Sequence, residues 1–169
     1  PYNNPDAAGY HALSTELLLK LANLRNVTAL KISTIDVSII ETMMLANKDL
    51  KILAGVDTVT VHAGLAGAIG GITGVGCIFP KASVTMQEYV TKGEWTNANK
   101  ISQALNSLSY LDAQPLLMEY LKLAMGIHHN DVAGGLRTLG KKLTQQEIDD
   151  VQARYILAKE RLEVLNLIS

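Results

Sequence analysis

Three short apolar runs, each of strand length and each about twenty residues from the next, constrain this chain more than any other feature. They are Val27-Thr28-Ala29-Leu30-Lys31-Ile32, Lys51-Ile52-Leu53-Ala54-Gly55 and the glycine-rich Gly70-Gly71-Ile72-Thr73. Amphipathic stretches lie before and between them. Ser14 is placed to cap a helix carrying Leu17, Leu18, Leu21 and Leu24, and Asp36 to cap a second that reaches Asn47 with Ile39, Ile40, Met43 and Met44 inward. Asp57 to Ala66 reads as a third. Strand and helix in strict alternation specify a parallel sheet of βαβ units, because parallel neighbours need a crossover between them. Runs this apolar are expected to be buried on both faces.

After Pro80 the strand signals stop. Helices are expected near 82–92, 95–110, 112–126 and 144–164, the last opened by the capping box Thr144-Gln145-Gln146-Glu147. The chain therefore divides into residues 1–80, which carry the βα units, and residues 81–169, which read as helix after helix.

Composition narrows the partners. With 48% hydrophobic and 18% charged residues the 169-residue chain is globular, and its net charge of -1 gives nucleic acid or an anionic membrane nothing to bind. No stretch reaches the roughly 18 consecutive apolar residues of a membrane span. The single cysteine, Cys77, excludes an internal disulfide, as expected of a cytoplasmic protein, and reads as a small buried hydrophobe.

Lys31 is the first candidate for chemistry. A lysine ending an apolar strand either reaches for water or is used, and at the carboxyl end of a parallel strand it points to where α/β barrels build their sites. Desolvation there favours the free amine, which attacks carbonyls. Tyr2, in Pro1-Tyr2-Asn3-Asn4-Pro5, could move protons beside it, or be a packed loop tyrosine. Glycines between Gly64 and Gly76 form no phosphate-binding motif and suit close backbone approach or a tight corner. His128-His129, without spaced Cys or His partners, gives no metal site. No G-x-S-x-G elbow is present.

Taken in order, these pieces resemble the dihydrodipicolinate synthase / N-acetylneuraminate lyase family. Tyr2-Asn3-Asn4-Pro5-Asp6-Ala7-Ala8-Gly9 is similar to its Y-N-x-P-x-x-[TS]-G motif, and Ala29-Leu30-Lys31-Ile32-Ser33 to its Schiff-base strand. Leu53-Ala54-Gly55-Val56-Asp57 and Gly67-Ala68-Ile69-Gly70-Gly71-Ile72 resemble the two strands that follow, and the helical tail with Trp95 its added helices. The resemblance implies that Lys31 forms the imine with pyruvate or a related 2-keto acid, and that Tyr2 shuttles protons. It assigns substrate binding to Ser33, Gly55, Asp57 and Ile72, and calls for no cofactor. Ala7 stands where the synthase branch has an arginine, Thr58 where the sialic-acid branch has an acid, and Gly74 where that branch has a serine. These departures favour the broad group of 2-keto-3-deoxy-acid lyases, with 4-hydroxy-tetrahydrodipicolinate synthase of lysine biosynthesis as an alternative.

A (β/α)8 TIM barrel needs about 250 residues. The resemblance makes this chain the C-terminal half, from the end of strand five to strand eight, plus a C-terminal helical extension. The expectation is a fragment, or one half of a two-chain barrel, poorly soluble and inactive without its N-terminal half. The missing half would bring the Thr-Thr segment that holds the keto-acid carboxylate. A homo-oligomer, typically a tetramer, is implied for the whole. A non-catalytic barrel or assembly protein and a free-standing helical domain with a small sheet are the competing readings.

Overall fold

The computed structural model describes residues 1–4, 12–130, 136 and 140–168. Four parallel strands, β1 (Tyr2–Asn3), β2 (Ala29–Ile32), β3 (Lys51–Ala54) and β4 (Gly70–Gly71), lie side by side in sequence order. Helices α1 (Thr15–Ala22), α2 (Ser38–Ala46) and α3 (Thr60–Leu65) make the crossovers. Ser14 caps α1 by accepting from the Leu17 amide at 3.2 Å. At α2 the helix begins two residues after Asp36, whose Oδ1 accepts from both the amide and the hydroxyl of Ser38. The third crossover opens as a 3-10 turn, Asp57–Val59, before α3.

One correction concerns the sheet faces. Leu30, Ile32, Ile52 and Ala54 are buried against Leu18, Ala22, Ile40, Met43 and Ala63 of the crossover helices. Their neighbours Ala29, Lys31 and Leu53 are only half-buried, and Lys51 is exposed. A period of two is therefore present beneath an apolar sequence, since Ala29 and Leu53 stand on the open face. Each fully buried Leu, Ile or Met on the closed face contributes about 1.5–3 kcal/mol.

The remainder is helical: α4 (Pro80–Thr91), α5 (Trp95–Ser109), α6 (Leu117–His129) and α7 (Gln145–Val164). Pro80 sits in the first turn of α4, where no amide partner is needed, and Gly93 takes φ 73° just after the helix, a conformation glycine adopts without strain. Thr144 and Glu147 form the reciprocal capping box of α7. Leu108, Leu162, Ile101, Ala98 and Ala158 fill a second core, which Val61, Val75, Ile78 and Phe79 join from the βα region. That join packs the helical part against the turns that follow β3 and β4.

Cys77 also departs from expectation. It is exposed at the end of the turn Val75–Cys77, while its neighbours Val75 and Ile78 take the inward positions. His128 lies in the last turn of α6, where Nδ1 is 3.1 Å from the Tyr155 hydroxyl and the ring meets Phe79 edge-on.

Candidate functional site

The parallel register of β1 and β2 sets Tyr2 opposite Lys31, so both side chains leave the sheet on its open face. Backbone bonds fix that register: the Lys31 amide donates to the Pro1 carbonyl at 3.1 Å and the Ser33 amide to the Asn3 carbonyl at 2.9 Å. Asn3, 4% exposed, anchors β1 by accepting from the Leu13 amide at 3.0 Å. The result is close contact between the two candidate groups. Lys31 Nζ lies 4.2 Å from the centroid of the Tyr2 ring.

Three further groups surround the phenol. The Ser33 hydroxyl is 3.0 Å from the Tyr2 oxygen and donates to the Gly55 carbonyl at 3.3 Å, linking the ends of three strands. The Asn4 side-chain amide donates to the same phenol oxygen. Burial pushes the Tyr2 phenol up, but hydrogen bonds from Ser33, Lys31 and Asn4, with the positive charge of Lys31, outweigh it and hold the phenol below its ordinary value. A phenol so placed gives up its proton more readily than a free tyrosine.

Gly55 makes room for this arrangement. A Cβ there would lie 2.2 Å from Ser33 Oγ and 2.9 Å from Lys31 Cε, so the lysine stem passes directly over the glycine backbone. Ile72, just beyond β4, donates its amide to the Ala54 carbonyl at 2.9 Å and leaves its side chain 52% exposed at the same edge. Lys31, Tyr2, Ser33 and Gly55 are thus gathered toward the carboxyl ends of β1 to β3, and Ile72 stands just past β4, two strands from Lys31.

Asp57 is placed differently. It is 7% exposed, and its Oδ2 accepts from the amides of Gly74 at 2.9 Å and Val75 at 3.1 Å. The carboxylate is engaged with the turn after β4, whereas the sequence assigned it to substrate. Sequence reasoning also overlooked Asp112, from the 3-10 turn Tyr110–Ala113 between α5 and α6, whose Oδ2 accepts from the Asp57 amide at 2.6 Å. Burial, then the negative charge of Asp57, push the Asp112 carboxyl up to about 7, against the pull of the Asp57 amide and of the Lys31 charge. Nothing in the spacing of Asp112 marked it, since its partner is 55 residues away. The part of the Tyr2–Gly9 motif from Pro5 onward, with Ala7, lies outside the described residues.

Residues 2–154 match the Dihydrodipicolinate synthetase family. The chain belongs to that family. Among curated proteins it is 26% identical over 163 residues to the 4-hydroxy-tetrahydrodipicolinate synthase of Sulfurihydrogenibium sp. (strain YO3AOP1), a match covering 94% of this chain and 55% of that protein. Two solved structures share its fold. The Ruminococcus gnavus sialic acid aldolase superposes with a TM-score of 0.79 at 24% identity, over 96% of this chain and 55% of the aldolase. The synthase of Methylacidiphilum fumariolicum SolV gives 0.85 at 20% identity, over 99% of this chain and 56% of the synthase. This dihydrodipicolinate synthetase family chain spans about half the length of the relatives it matches. Among the described residues, no helix is long and apolar enough to cross a membrane.

Proposed function

We propose that the chain supplies the amine-bearing half of a Schiff-base lyase, a (β/α)8 barrel in which β1 to β4 are the end of strand five and strands six to eight. The observation that carries this is the amine of Lys31 lying 4.2 Å from the ring of Tyr2, a phenol held below its ordinary pKa at the open ends of parallel strands. The sialic acid aldolase and synthase names of its relatives point to the same chemistry.

In this reading the free amine of Lys31 attacks the keto carbon of pyruvate or a 2-keto-3-deoxy acid; the nitrogen gives up a proton as the carbonyl oxygen gains one, and a neutral carbinolamine results. A second proton lets that oxygen leave as water, and the nitrogen lone pair closes the C=N bond. The iminium then accepts the electron pair released when the neighbouring carbon–carbon bond breaks, giving an enamine; the reverse makes the bond. Tyr2 is the group within reach to hand these protons on, with Ser33 as its contact. Gly55 clears the space, and the backbone near Ile72 lines the far side. A complementary N-terminal half, in the same or another polypeptide, would supply the binding site for the keto-acid carboxylate and complete the homo-oligomer.

Incubating the completed barrel with pyruvate and borohydride should reduce the imine to a stable adduct on Lys31, located by peptide mass spectrometry. Lys31→Ala should abolish both adduct and turnover. Wild-type protein that stays unmodified excludes the lyase and leaves the non-catalytic assembly reading. The curated relative favours a second substrate reading, condensation of pyruvate with the synthase's aldehyde partner, so turnover with that aldehyde separates it from sugar-acid cleavage.

A further inference from the structure

Asp112 comes from the helical extension yet ends at the edge of the Lys31 site, and the proposed chemistry leaves it unused. Its Oδ2 takes the Asp57 amide at 2.6 Å, and Asp57 Oδ2 takes the Gly74 and Val75 amides at 2.9 and 3.1 Å. The chain of contacts runs from the extension to the turn after β3, and from there to the turn after β4. Gly55, two residues before Asp57, lies under the Lys31 stem, and Ile72 lies two residues before Gly74. Whatever moves Asp57 therefore moves the turn after β3, whose Gly55 lies under the Lys31 stem, and the turn after β4 with it.

We propose that the Asp57–Asp112 carboxyl pair is a protonation-dependent clamp, with Asp112 a positioning residue for the Lys31 site. This rests on the Schiff-base reading for its catalytic consequence, while the clamp itself stands on the contacts. One proton between the two carboxyls lets them sit together; without it, two negative charges face each other in a largely buried place, which repels the extension from the β3 turn. The charged groups facing Asp112 are Asp57, from the turn packed against it, and Lys31 of β2, whose positive charge softens the repulsion. On α6, Glu119 and Tyr120 are engaged instead with the region of Lys141 and Glu147, and on α5 Lys100 lines a surface groove with Arg161.

The Asp112 carboxyl is pushed up to about 7, so the proton-shared pair prevails in mildly acidic solution and is lost as the pH rises through neutrality, which strains the clamp. One pH unit above that value the proton-bearing fraction is down to about a tenth. Asp112→Asn keeps an oxygen for the Asp57 amide and cannot ionise. The ratio of borohydride trapping rates, Asp112→Asn over wild type, should therefore be near one at pH 6 and rise toward about tenfold at pH 8. Asp112→Ala, which lacks the acceptor, should trap slowly at both values and be rescued by Asn. Independently of activity, the amide resonances of Asp57, Gly74 and Val75 in the wild-type protein should shift together with a midpoint near 7, and not in Asp112→Asn. A flat rate ratio, or amides that fail to titrate together, overturns the clamp. Absence of any adduct in wild type overturns the Schiff-base reading instead, and the amide titration then still decides the clamp.

Discussion

Gly55→Ala tests the site at the point where its geometry is tightest. The added Cβ would meet Ser33 Oγ at 2.2 Å and Lys31 Cε at 2.9 Å, where ordinary contact begins near 3.4 Å. The lysine stem can give the missing half-ångström by small torsional changes. The serine cannot do so as easily: its oxygen must move by about 1.2 Å, and its own Cα stands only 3.2 Å from the new atom. Rotating the hydroxyl away breaks its contacts with the Tyr2 phenol and the Gly55 carbonyl. Overpacking of this kind costs about 1–3 kcal/mol, of which roughly 0.4–1 is recovered because alanine stiffens the unfolded chain. The net expectation is about 1–2 kcal/mol in urea denaturation. An amine displaced by an ångström should lose on the order of 100-fold in trapping rate. Adding Ser33→Ala removes the clashing oxygen, so the double variant should regain stability while trapping stays impaired for want of the serine contact. If Gly55→Ala unfolds within about 0.5 kcal/mol of wild type and traps pyruvate at the same rate, the Lys31 side chain does not pass over Gly55, and the site is built differently.

Two other outcomes follow from the same contacts. Lys31→Met removes a hydrogen bond and a positive charge from the Tyr2 phenol, both of which lower its pKa, so the alkaline transition of Tyr2 should move upward; an unmoved midpoint separates the two groups in solution. Leu108→Ala empties a fully buried position of the helical core and should cost about 2–5 kcal/mol by urea denaturation, with a smaller loss showing that the core collapses around the gap.

What the sequence disclosed follows from what each signal depends on. Lys31 and Tyr2 could be singled out because a charged group ending an apolar strand, and a phenol in a loop motif at strand spacing, are local features. Their meeting needed only that β1 and β2 be parallel neighbours. The open face of the sheet was not legible in the strand pattern itself, because Ala29 and Leu53 are apolar whether a face is covered or bare. Cys77 was misplaced for a similar reason: a small residue in a turn fits either side, and Val75 and Ile78 had already taken the interior. Gly70–Gly71 forms a strand half as long as expected, since two glycines offer no side chains to hold the pairing against the next turn.

Asp112 shows where local signals end. Asp57 was assigned to substrate only through the family resemblance of Leu53-Ala54-Gly55-Val56-Asp57. Its actual bonds are to amides 17 and 18 residues ahead, and the acid that fixes its own amide is 55 residues on. The second is decided by how the helical part lies on the βα region, where Val61, Val75, Ile78 and Phe79 enter the helical core. The helical extension is therefore tied to the floor of the site by packing and by a carboxyl pair together. Loosening either should disturb Gly55 and the Lys31 stem above it, which is why the turn after β3, and not the amine alone, is where the pH dependence of borohydride trapping should be sought.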